Sequence, residues 1–319
     1  MGDSKHHWVP QFYLKSWAVN GQLSTVDLAT GSRYKKPVVN AAMELGFYAV
    51  PQHPDDPEVF EKLFSKLEGQ AAAVLKAVAD GAWPLDGDDR EVLATFVTFQ
   101  ALRGPEQRQL MRDLQTDRVA RETAAVAEMG AAAWFQDRFG LPIEEGQARR
   151  AWERATGHDE PPIRIDAQFH IEQIARLAEK ALPYIALRRW KLIRFDEPAL
   201  LTSDVPVSLD NPGRAHGRSG LLTARTLAYP LSRQAALVLG DYVPVRAKVE
   251  ANAIARGRFD SLANGSTTDQ EWMNARTVHS ARTALFHHPD DVALVPNSAA
   301  ELRSDAAVKV PADDGRMGE

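Results

Sequence analysis

The chain has 319 residues, no cysteine and a formal net charge of −5, which excludes disulfides, thiolate zinc sites, thiol nucleophiles and a surface that is basic throughout. Hydrophobic residues make up 44% and charged residues 25%, ordinary for a globular protein with a sizeable core. No apolar run approaches the ~18 residues that span a bilayer and the start carries no apolar signal core, so a cytoplasmic protein with no membrane partner is expected.

The opening, "HHWVPQFYLKSWA" at residues 6–18, crowds two histidines, a proline, a tyrosine and two tryptophans into one stretch. Its aromatic residues are expected to anchor the N-terminus by burial, and Pro10 to stiffen the entry. "AVNGQLSTVDLATGSRYKKPVV" then reads as short strands joined by turns at Asn20-Gly21 and Thr30-Gly31-Ser32. Helices follow. Asp56-Pro57 is a cap with proline at the first helical position, and Val59, Phe60, Leu63, Leu67, Val74 and Val78 recur at helical spacing. A second helix opens on a capping-box pattern from Asp88 to Glu91 and stops at Gly104-Pro105. More helix is expected over 106–138, 143–156 and 166–188, with a loop at 158–164. From Trp190 the period shortens into "WKLIRF", "ALLTSDVPVSL", "TLAYPL" and "AALVLG", β-like runs broken by Pro, Gly and Asp. A closing helix with a Thr267–Gln270 capping pattern and a last strand "TALFHH" complete the order.

That order is α+β: a small N-terminal β hairpin unit, a central helical block, and a C-terminal antiparallel or mixed β region with a closing helix. Residues 1–305 are expected to form one domain, with the helical part at about 55–189. The β-rich part takes about 190–290 together with 1–50, and 306–319 form a flexible tail. Charge is uneven: residues 212–282 hold nine Arg and one Lys against five acids, whereas 283–319 hold three basic and seven acidic residues.

Helical geometry selects polar side chains that point inward. Arg103 continues the stripe Val92, Phe96, Phe99, and Gln100 follows Phe96 by one turn. A buried arginine needs an anion, and Glu68, beside Phe64, Ala71 and Leu75 on the preceding helix, is a partner for it. His170 shares a stripe with Ile174, Leu177 and Ala181 and reads as a core residue. Asp204, before Pro206, reads as a strand-end carboxylate, either a turn-maker or a base or ligand. No Walker A, dinucleotide, nucleophile-elbow or His-Glu-x-x-His pattern is present. His6, His7 and Pro10 superficially match the first strand of an HNH nuclease finger, but Asn40 and His53 lie too far off to complete it.

"HHWVPQFYLKSWA" resembles the His-His-x-x-Pro-x-x-Tyr-Leu opening of an uncharacterised bacterial family called domain of unknown function 4238. The likeness continues through "ELGFYAV", "FSKLEGQAAAVL" with Glu68, "FVTFQALRGP" with Gln100 and Arg103, "WKLIRFDEPALLTSDVPV" with Asp204, "AYPLS", and "WMNARTVHSA" with Asn274. "SDVPV" departs from the family's usual Ser-Asp-Asn-Pro. The resemblance brings no activity, but it groups His6, His7, Glu68, Gln100, Arg103, Asp204 and Asn274 into one pattern. Two readings follow. In the first the protein is a hydrolase with His6, His7 and Asp204 catalytic and Gln100, Arg103 and Asn274 binding a phosphodiester or other anionic substrate. His6, His7, Glu68 and Asp204 would then be the ligands if a divalent metal such as Zn or Mn is used. In the second it is a non-catalytic module for a small anionic ligand or nucleic acid, with the polar cluster structural.

Overall fold

The computed structural model describes residues 4–50, 56, 58–140, 142–156, 167–210, 220–242 and 248–296. The loop expected at 158–164 and the tail at 306–319 lie outside them. The elements run β1 (Lys5–His7), α1 (Gln11–Leu14), β2 (Gln22–Asp27), β3 (Arg33–Pro37) and β4 (Met43–Leu45). The helical block is α2 (Val59–Ala79), α3 (Gly87–Leu102), α4 (Pro105–Met129), α5 (Ala131–Phe139), α6 (Glu145–Thr156) and α7 (Ala167–Ala186). After it come β5 (Arg188–Arg194), β6 (Thr202–Ser203), β7 (Ser208–Asp210), β8 (Thr226–Ser232) and β9 (Ala235–Tyr242). The last elements are α8 (Lys248–Ala255), β10 (Ser261–Asn264), α9 (Thr267–Ser280) and β11 (Ala284–His287). The α+β order is as expected, and no described helix is long and apolar enough to cross a membrane.

Two compact units share the chain: residues 1–104 with 171–319, and residues 105–170. The first holds all the described strands. Strands β10-β5-β9-β8-β7 form a five-stranded sheet, antiparallel except for the parallel β10–β5 pair, and β3-β2-β11-β6 form a four-stranded antiparallel sheet. β1 pairs with β4, His6 opposite Glu44 and His7 opposite Met43. The Asn20-Gly21 turn behaves as its sequence requires, with φ of 50° and 73° in the left-handed region that these residues tolerate. In the second unit α5 packs against α4 and α6, and Trp134 meets Trp152 edge-on at 4.9 Å.

Helix α9 joins the two larger sheets. Trp272 and Met273 pack with Ile193, Phe195, Ala228 and Ala236 of the five-stranded sheet region, while Val278 packs with Val26, Leu201 and Leu285 of the other. Its capping box is made by Ser266 and Asp269, one residue before the expected Thr267–Gln270 pair. The serine hydroxyl reaches the Asp269 N–H and the Asp269 carboxylate takes the Ser266 N–H, the reciprocal pairing that defines such a box. Likewise α3 is capped by Asp86, which accepts from Asp89 N, and not by Asp88. Just before α9, a Cβ built on Gly265 would overlap the Phe195 ring. Gly265→Ala is therefore expected to lower stability by about 1–3 kcal/mol, the usual effect of overpacking. The loss should shrink when Phe195 is already leucine, a coupling that a thermal-melt double-mutant cycle reads directly.

Candidate functional site

The opening stretch is tied to the β region by its aromatic polar atoms, each donating to a backbone carbonyl. Trp8 Nε1 donates to Asp204 O at 3.1 Å, Trp17 Nε1 to Leu200 O at 2.8 Å, and the Tyr13 hydroxyl to Pro230 O at 2.7 Å. Tyr13 also shares a 2.7 Å hydrogen bond with the Thr202 hydroxyl and stacks on Tyr229. With Val9, Tyr13, Leu14 and Trp17 all buried, residues 5–17 form a clasp, and the two histidines before it are fixed in place.

Adjacent side chains on a strand leave it in opposite directions, and β1 sends its two imidazoles to different partners. His6, 0% exposed, accepts from Tyr48 N through Nδ1 at 2.7 Å. A backbone amide can only donate, so the ring proton of the neutral imidazole sits on Nε2, which donates to Glu58 Oε2 at 2.6 Å. His7 Nε2 donates to Val39 O at 3.2 Å. Burial holds the His7 imidazole below its ordinary pKa, against the opposing pull of the Val39 carbonyl.

Three glutamates of the α2 region act on these rings, Glu58 through its hydrogen bond to His6 and Glu61 and Glu68 through their charge. Glu58 precedes α2 and keeps 34% of its side chain exposed; Glu68, nearly three turns on, keeps 22%. Glu61 lies between them, half-buried. Burial pushes its carboxyl above the ordinary glutamate range, and the negative charges of Glu68 and Glu58 push the same way, while His6 and Arg103 oppose. Arg103, the residue that ends α3, is 1% exposed. Its Nη1 donates to Glu68 Oε1 at 2.7 Å and its Nη2 to Gln100 Oε1 at 2.9 Å. Gln100 Nε2 in turn donates to Trp8 O at 2.9 Å.

Four of the seven residues in the sequence pattern, Glu68, Arg103, Gln100 and Asp204, thus lie along one connected chain that runs through Trp8, without forming one pocket. Trp8 meets only the Asp204 backbone. The Asp204 carboxylate faces elsewhere, accepting from Arg282 N at 2.9 Å, Thr283 N at 2.8 Å and the Thr283 hydroxyl at 2.6 Å. Asn274 bridges one loop, donating to Ala199 O at 2.8 Å and accepting from Leu201 N at 2.9 Å. These carboxylate and amide groups close backbone turns. The expected ligand set His6, His7, Glu68 and Asp204 is split accordingly, because a ligand needs a lone pair aimed at the ion. Here His6 Nδ1 faces Tyr48 N–H and the Asp204 oxygens face three donors. Among the described residues no group of three or more His, Asp or Glu is placed to hold a metal.

His170 belongs to the other unit and is buried, as its stripe implied. Its Nδ1 accepts from Arg108 Nε at 3.1 Å, and burial with the neighbouring Arg108 charge lowers its pKa to about 3. In the arginine-rich 212–282 segment, Arg233 and Arg276 are bound to Asp291 and Asp210 at 2.7 Å each. Arg214, Arg218 and Arg246 lie outside the described residues. Glu58 and Glu61 went unselected in the sequence. The signal was there for Glu61, which precedes Glu68 by seven residues and so shares its helix face.

The architecture is that of an α+β protein whose N-terminal clasp carries a buried imidazole, hydrogen-bonded to a partly exposed carboxylate, beside an Arg–Glu–Gln chain. A family model described as a protein of unknown function, DUF4238, matches residues 5–291. The chain belongs to that family. No curated protein and no solved structure matches it.

Proposed function

We propose that the protein is a hydrolase working by carboxylate–imidazole acid–base chemistry at the start of α2, with Glu61 as the general acid and Glu58 as the base. The observation that carries this reading is the contrast between two neighbouring carboxyls. Glu61 is driven by burial and by its anionic neighbours to keep its proton to higher pH than an ordinary glutamate, while Glu58 receives the His6 Nε2–H. A carboxyl that keeps its proton can donate it while a nearby carboxylate, held in place by a hydrogen-bond donor, accepts one. His6 in this reading positions Glu58 and is not itself the base, because both of its nitrogens are engaged.

The partly exposed side chains of the cluster are those of Glu58, Glu61 and Glu68, and both Arg103 Nη donors are committed to Glu68 and Gln100. This favours a neutral or cationic substrate over the phosphodiester expected from sequence. The test is a panel of chromogenic esters, glycosides and phosphodiesters with the parent protein and Glu61→Gln. The variant should lose on the order of 10²–10⁴-fold in rate with an unchanged melting temperature. The parent's rate should fall on the alkaline side, as Glu61 gives up its proton at a pH above that of an ordinary glutamate. Full activity of Glu61→Gln on any substrate the parent hydrolyses would falsify the assignment. A parent inactive across the panel favours the second reading, a non-catalytic binding module. That reading draws support from Asn274, whose amide bonds only to backbone groups, and from Asp204 and Gln100, each of which is committed to backbone as well as to one neighbouring side chain.

A further inference from the structure

Among the buried polar atoms of the larger unit with no hydrogen-bond partner among the described residues are Arg103 Nε and the Tyr229 hydroxyl. Both are shut away from solvent, with Arg103 1% and Tyr229 0% exposed. A donor on a charged guanidinium and a phenol in such surroundings are among the groups least tolerated dry, and in folded proteins they nearly always meet a protein group or an ordered water. The two side chains border the same ring. The Arg103 guanidinium lies 6.0 Å from the Phe96 centroid, and the Tyr229 ring lies 6.4 Å from it. Arg103 and Glu68 both act electrostatically on the Tyr229 hydroxyl. The neighbouring polar groups are spoken for: Arg103 Nη1 and Nη2 by Glu68 and Gln100, and the Tyr13 hydroxyl by Thr202 and Pro230.

We propose that Arg103 Nε–H and the Tyr229 hydroxyl hold one internal water between them. Its oxygen accepts from Nε–H. One of its hydrogens goes to the phenol oxygen, and Gln100 Oε1, which accepts from Nη2 on the same edge of the guanidinium, offers an acceptor for the other. Three bonds of this kind are the usual complement of a buried water. The water extends the chain Trp8–Gln100–Arg103 to β8 and gives the guanidinium a third fixed direction, so that Glu68 is positioned from behind. This inference is independent of the hydrolase reading, since it concerns the floor beneath the glutamates and not the chemistry at their exposed side.

A high-resolution crystal structure of the parent should show a solvent peak within about 2.7–3.2 Å of both Arg103 Nε and the Tyr229 oxygen. Magnetic relaxation dispersion of the water signal should count one long-lived internal water more in the parent than in Tyr229→Phe, whose melting temperature should be lower. The inference is overturned by a parent map in which the two atoms touch directly, pack on carbon, or share no peak. Equal internal-water counts in parent and variant overturn it as well. Should Tyr229→Phe not fold, the parent map decides alone.

Discussion

Arg90→Ala is expected to lower the stability of the protein by about 3–5 kcal/mol, the range for breaking a buried ion pair from one side. Arg90 lies in the first turn of α3 and is 1% exposed. Its Nε donates to Asp260 Oδ2 at 2.7 Å and its Nη2 to Asp260 Oδ1 at 3.1 Å. The same guanidinium donates to Ala186 O at 2.6 Å and Arg188 O at 2.8 Å, and lies 4.1 Å from the Trp190 ring centre. One side chain therefore binds α3 to the end of α7, to β5 and to the turn before β10. Alanine would leave the Asp260 carboxylate buried with Trp190 N as its remaining donor and would take a donor from the Ala186, Ala255 and Arg188 carbonyls. Urea denaturation measures the loss. Converting both partners, Arg90→Met with Asp260→Leu, should recover part of it, because no charge is then left buried. Recovery should stay incomplete, since the Ala186 and Arg188 carbonyls lose the guanidinium donors and the Trp190 amide loses the Asp260 acceptor. A loss under about 1 kcal/mol for Arg90→Ala would place the pair among solvent-screened bridges and contradict its burial.

Arg90 also shows where sequence reasoning stops. It stands in "DDRE", which reads as a solvated first turn, and its partner Asp260 lies 170 residues away with no local pattern to connect them. Arg103 was legible because it continues an apolar stripe, and the burial cost of a cation there pointed to Glu68 on the neighbouring helix. Even so, the stripe understated α3, whose Leu93, Ala94, Val97 and Thr98 are buried as well. The order of elements could be read because local chemistry dictates it. Asn20-Gly21 turns the chain, Gly104-Pro105 ends a helix, and an Asp or Ser begins one. Asp204 reads from sequence as either a turn-maker or a base or ligand; its carboxylate closes backbone, and its donors come from residues 282 and 283, which only the β6–β11 pairing brings to it. Both histidines are buried, although strand alternation alone would free one of them. β1 is covered on both sides, by Glu58 and Tyr48 over His6 and by Val39 beside His7.

Trp17→Ala should destabilise about as strongly as the Arg90 change, by about 3–5 kcal/mol, and a milder effect of His6→Asn will separate clasp from chemistry. Trp17 is 0% exposed and its ring centre lies 4.9 Å from that of Tyr13, so truncation opens a cavity between the clasp and the Leu200 strand end. It also removes the donor to Leu200 O. Trp17→Phe keeps most of the packing and loses mainly that bond, so it should cost about 1–3 kcal/mol through the stranded carbonyl. His6→Asn is different in kind. The asparagine oxygen can take the place of Nδ1 and accept from Tyr48 N, because it is the same number of bonds from the backbone, but the side chain is too short to reach Glu58. Stability should therefore fall by less than for Trp17→Ala, while Glu58 loses the group that orients it. If the hydrolase reading is right, activity drops in His6→Asn with most of the fold retained. Equal melting temperatures for His6→Asn and Trp17→Ala would instead make His6 part of the scaffold, and the carboxylate pair would lose the positioning on which its chemistry rests.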